Sequence, residues 1–60
     1  MNFELKIAIL KRFPTQADFA MKVGCHESKV SQVVCGRRKL KDEEVKIWSK
    51  TIGCEPTIIQ

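Results

Sequence analysis

The chain contains no tyrosine, a single tryptophan, a single histidine, two prolines and three glycines among 60 residues. No apolar run approaches the roughly 18 to 20 residues that cross a bilayer, so no membrane partner is expected. The opening segment, MNFELKIAIL, carries a glutamate and lacks a small-residue cleavage site, so it does not read as a signal peptide and a cytoplasmic location is expected. His26 is the only histidine, and no carboxylate pair, glycine-rich phosphate loop or nucleophile–base spacing accompanies it. An enzyme is therefore not expected, nor a small-molecule substrate. Cysteine is present in the odd number of three, at positions 25, 35 and 54, which argues against a disulfide framework. Structural zinc sites space their ligand pairs two to four residues apart, and Cys25 beside His26 is poor geometry for one ion, so neither metal nor cofactor is expected. Cys25 and Cys54 read as small buried hydrophobes, and Cys35, next to Gly36, as exposed.

What is present fits one small globular domain over residues 1–60. Hydrophobic residues make up 43% and charged residues 30%, the balance of an ordinary folded chain rather than a disordered one. A chain of this length buries only about 60% of its unfolded surface, so helices joined by tight turns are the most economical way to a core. Lys and Arg number 11 against 7 Asp and Glu, a formal charge of +4. The basic residues cluster: Ser28 to Leu40 holds Lys29, Arg37, Arg38 and Lys39 and no acid, and Lys41 follows. Such a cluster suggests a polyanionic partner, the alternative being a solvated basic loop.

Pro14, Gly24, Gly36, Gly53 and Pro56 divide the chain into segments about as long as short globular helices. Residues 3–12 are ambiguous. Phe3, Leu5, Ile7 and Ile9 alternate like a strand, while Phe3, Ile7 and Leu10 form one helical stripe and Leu5, Ile9 and Phe13 another. No strong second strand is available to pair with it, so the segment is assigned as helix, one stripe being spare. Thr15 can cap a second helix, with Asp18 as a capping-box variant, Phe19, Ala20 and Val23 on its inner face and Gly24 ending it. A third runs from about Glu27 to Val34 with Val30, Val33 and Val34 inward, Ser28, Gln32 and Cys35 outward, and Lys29 and Ser31 at the flanks. A fourth starts near Asp42, buries Val45, Trp48 and Ile52 and ends at Gly53.

Two short helices joined at Gly24, with small Ala20 four positions earlier, resemble the helix-turn-helix of the Cro and phage-repressor family. The likeness runs through TQADFAMKVGCHESKVSQVVCGRRKL, residues 15–40, with the core at about 15–36, and loosely through IWSKTIGC at 47–54. It implies an all-α, lambda-repressor-like DNA-binding domain of four to five helices, with the helix at 27–34 in the major groove. Carried over by position, the base-edge residues are Glu27, Ser28, Lys29 and Gln32, suited respectively to the cytosine amino group, a permissive contact, guanine and adenine. Gln16, Ser31, Arg37, Arg38 and Lys39 are the phosphate contacts that the resemblance implies. Three departures stand out: His26 occupies a cap position that is normally Ser or Thr, Val34 replaces a glutamate that pairs with an arginine of the first helix, and Phe13-Pro14 replaces Gly-Leu.

The expected function is thus sequence-specific binding of double-stranded DNA by a transcriptional regulator of phage or prophage type, nucleoid-associated in the cytoplasm. The rival expectation is a protein-interaction module such as a toxin-neutralising antitoxin. A homodimer would read two half-sites, its surface drawn from Leu5 or Ile9, from Ile47, or, as the preferred site, from Ile58 and Ile59 beyond the last predicted helix.

Overall fold

A computed structural model describes residues 1–59. Five helices follow one another: α1 (Phe3–Arg12), α2 (Gln16–Val23), α3 (Glu27–Val34), α4 (Asp42–Ile52) and α5 (Pro56–Ile59). No strand occurs among the described residues. The body measures 23 × 22 × 21 Å. No helix of the described residues is long and apolar enough to cross a membrane. The fold class is all-α.

Three of the five helices, α1, α2 and α4, begin where the sequence offers a capping side chain. Asn2 opens α1, its Oδ1 accepting the Leu5 N–H at 3.0 Å. Thr15 opens α2: its Oγ accepts the Asp18 N–H at 3.2 Å and donates its own proton to the Asp18 carboxylate at 3.1 Å. His26 opens α3 with no side-chain cap, in line with the weakness of histidine there. Lysine has no acceptor, so α4 uses only the reverse half of a capping box, in which the Glu44 carboxylate accepts the Lys41 N–H at 3.2 Å.

The core is built from Leu5, Ile9, Phe19, Ala20, Val30, Val33, Val34, Leu40, Val45, Trp48, Ile52 and Ile59, to which all five helices contribute. Phe19 lies at its centre between two other rings. Phe13 packs against it with centroids 5.4 Å apart, and Trp48 meets it edge-on at 5.0 Å. Phe13 is thus packed against the core. Ala20 is 2% exposed in the joint between α2 and α3. Val34 is buried too, so the α1–α3 joint is apolar where the related pattern would carry an ion pair.

Two expectations about spare apolar surface are overturned. Leu5 and Ile9 have no exposed surface, so they cannot form a dimer face; the free stripe is the other one, with Phe3 64%, Ile7 54% and Leu10 44% exposed. The reason is that α1 packs against each of the other four helices, and only one of its two stripes can face them. The tail is likewise not a free apolar end beyond the last helix. Residues 56–59 form α5, Ile59 is 2% exposed, and Ile58 is packed on the core. A chain this short has few apolar side chains to spare, and folding its end inward closes the core. Ile47, on the outer side of α4, is exposed as expected.

One residue joins both ends of the chain. The Asn2 backbone N–H donates to the Val34 carbonyl at 2.6 Å, and its Nδ2 donates to the Ile58 carbonyl at 2.6 Å. Asn2 therefore caps α1, ties the end of α3 and holds α5.

Candidate nucleic-acid interface

The candidate surface consists of α3 and the loop after it, and the local sequence fixes both ends of that helix. Before it, α2 terminates at Gly24, whose φ of +78° is the left-handed conformation. The Cys25 N–H then donates to the Ala20 carbonyl at 2.9 Å and the Gly24 N–H to the Met21 carbonyl at 3.3 Å, the double bond of a Schellman motif. The chain reverses within three residues, which brings α3 directly onto α2 across the small side chain of Ala20. After α3 the same device recurs at Gly36, φ +80°. The Arg37 N–H donates to the Gln32 carbonyl at 2.9 Å and the Gly36 N–H to the Val33 carbonyl at 3.1 Å. Arg37, Arg38 and Lys39 are thereby anchored to the end of α3 rather than left on a free loop, and buried Leu40 pins the far side.

With Val30, Val33 and Val34 buried, helical periodicity leaves Glu27, Ser28, Ser31 and Gln32 as one open strip, all exposed. Cys35 continues it. Arg37, Arg38, Lys39 and Lys41 are exposed beside it, with no carboxylate between Ser28 and Lys41 in the sequence. The Arg38 guanidinium donates to the Gln32 side-chain oxygen at 3.4 Å, so the loop reaches back over the strip. Gln16 sits half-buried at the first position of α2.

Lys29 stands apart from Glu27, Ser28 and Gln32, the other three residues expected at base edges. Its ammonium donates to the Glu44 carboxylate, and the two side chains are 23% and 28% exposed. The pair ties the first turn of α3 to the first turn of α4. The Lys29 hydrogen bond, with the Lys41 N–H as second contributor, holds the Glu44 carboxyl below the ordinary carboxylate value. Cys25 lies at the foot of α3, where burial pushes its thiol up against the opposing pull of Lys29. Burial also raises the Cys54 thiol. No group of three or more His, Cys, Asp or Glu side chains among the described residues is placed to hold a metal ion.

Sequence reasoning missed two residues that position this surface. Asn2, one place before α1 and three before Leu5, carried a legible cap signal, but its reach to Ile58 depends on tertiary packing. Glu44, three residues after Lys41, was legible as half of a capping box, whereas its partner Lys29 lies 15 residues away in sequence. No family model, curated protein or solved structure matches the chain.

Proposed function

We propose that the chain is a lambda-repressor-like helix-turn-helix domain that binds double-stranded DNA sequence-specifically, as a transcriptional regulator of phage or prophage type. The observation that carries this proposal is the open strip of α3 flanked by an acid-free, anchored basic loop. In an α-helix set into the major groove, side chains at the start of the helix meet base edges while cations at its rim hold the phosphates. Gln32 offers a bidentate donor–acceptor pair suited to adenine, Glu27 an acceptor for the cytosine amino group, and Ser28 a permissive contact. Lys29 reaches guanine only by releasing Glu44, which makes it the costliest of the four. Gln16, Ser31, Arg37, Arg38 and Lys39 hold the backbone, and Arg38 also orients Gln32. Such a protein acts at the nucleoid in the cytoplasm and needs neither cofactor nor small-molecule substrate.

Selection of bound sequences from a random DNA pool tests the proposal, followed by affinity against salt. Several phosphate contacts give a steep fall in affinity with added salt, whereas an apolar protein interface, as in an antitoxin, hardly responds. Gln32→Ala should relax preference at one base position, at a cost of about 1 to 3 kcal/mol. Arg38→Ala should weaken binding to all sequences and flatten the salt slope by about one unit. Absence of any enriched sequence together with salt-independent affinity would refute the proposal.

A further inference from the structure

We propose that Glu44, which lies on α4 outside the open strip, is a positioning residue that sets how strongly α3 reads guanine: it holds Lys29 on the α3–α4 joint and so withholds the one cation of α3 from the base edges. The role rests on the DNA-binding proposal, in which α3 lies in the major groove. Lys29 is the only cation in ESKVSQVV, the sequence of α3. The residues of the strip, Glu27, Ser28, Ser31 and Gln32, are acidic or uncharged. Guanine presents two acceptors, N7 and O6, in the major groove, and Lys29 is the charged donor that α3 has for them.

Lys29 is held from a fixed point. One oxygen of the Glu44 carboxylate accepts from the Lys29 ammonium, and the other accepts the Lys41 N–H at 3.2 Å. A carboxylate pinned to the start of its own helix does not follow Lys29 towards a groove. Both side chains are partly buried, where the attraction between charges is screened less than at an open surface. The same two donors keep the Glu44 carboxyl below its ordinary value, so the hold is in force at neutral pH. A Lys29 that swung out to a base would leave an unpartnered carboxylate just after the basic loop that holds the phosphates, and repulsion there adds to the loss of the pair. Guanine contact by Lys29 is therefore opposed by Glu44 twice over, once through the bond that breaks and once through the charge left behind.

Selection from a random DNA pool with the wild-type chain and with Glu44→Gln tests the inference. Glutamine keeps an acceptor for the Lys41 N–H and frees Lys29. The variant should gain guanine at a single position, other than the one that Gln32→Ala relaxes. The ratio of guanine to the other bases there should rise about fivefold, the low end of what one good base contact provides. Lys29→Ala added to Glu44→Gln should abolish that gain. Loss of a carboxylate also raises affinity for every sequence by easing repulsion of the phosphates, so Glu43→Gln, at an exposed position one residue away, controls for charge alone. It should raise affinity without favouring guanine. Circular dichroism verifies folding, and Glu44→Ala, which trades the acceptor for the best helix former, is a second variant that frees Lys29. A wild-type chain that favours guanine at that position as strongly as Glu44→Gln overturns the inference, as does a gain that survives Lys29→Ala or is matched by Glu43→Gln. If the wild type enriches a sequence but both Glu44 variants leave the guanine ratio unchanged, this inference alone fails. If the wild type enriches none, it falls together with the DNA-binding proposal.

Discussion

Replacing Asn2 separates two contributions that one side chain makes to the fold. Its Oδ1 caps α1 at Leu5, and its Nδ2 holds the Ile58 carbonyl of α5 at 2.6 Å. Loss of an asparagine N-cap costs about 1 kcal/mol, and loss of a part-buried hydrogen bond to a carbonyl about another 1 kcal/mol. Asn2→Ala removes both, and should therefore destabilise by about 2 kcal/mol. In a domain of this size each kcal/mol lowers the melting midpoint by about 4 to 8 °C, so a fall of about 8 to 16 °C is expected. That is a large share of the roughly 3 to 5 kcal/mol such a core supplies. Asn2→Ser is the decisive partner variant, because serine caps a helix as well as asparagine but is too short to reach Ile58. It should lie midway between wild type and Asn2→Ala. Thermal melting by circular dichroism gives the midpoints, and amide hydrogen exchange locates the loss: the Ser variant should expose the Ile58 amide, bonded to Glu55 at 3.0 Å, while α1 stays protected. If Asn2→Ser melts with wild type, the link to α5 contributes nothing. If Asn2→Ala does so as well, the cap argument fails too.

Other outcomes follow from the same packing. Ala20→Leu forces extra volume into the α2–α3 joint at a residue 2% exposed, and overpacking of about 1 to 3 kcal/mol should unfold much of the population; an unchanged melting midpoint would refute the close approach of the two helices. Glu44→Gln keeps an acceptor for the Lys41 N–H and removes the ion pair with Lys29. Because the Glu44 carboxyl is held below its ordinary value of 4.5 in the folded chain, its stabilisation is fully present above that value and fades as pH falls through the lower folded one. Wild type should accordingly be the more stable at pH 7, and the two chains should converge in acid; parallel melting curves across pH would refute the coupling. Cys35 is exposed, whereas Cys25 and Cys54 are half-buried and burial raises their thiols, so an alkylating reagent at neutral pH should label Cys35 first and the other two more slowly. Mass mapping of the labelled sites over time checks the order.

The sequence by itself determined where the first four helices lie and which residues cap or end most of them. Thr15 with Asp18, the acidic turn at Asp42 and the glycines at 24, 36 and 53 act over one turn of chain, where capping chemistry and backbone sterics decide the outcome locally. The inward faces of α2, α3 and α4 were legible for the same reason, since each has one apolar stripe and therefore one way to turn. Tertiary structure alone decided the rest. With two apolar stripes, α1 could turn either face inward, and only packing against four other helices chose Leu5 and Ile9 over Phe3, Ile7 and Leu10. Ile58 and Ile59 carry no periodicity long enough to fix their place, and it was the unfilled end of the core, closed through Asn2, that drew them in. The pairing of Lys29 with Glu44 was out of reach as well, because each residue suits its own helix surface. A contact between two such surfaces depends on how the helices cross, which no local propensity encodes.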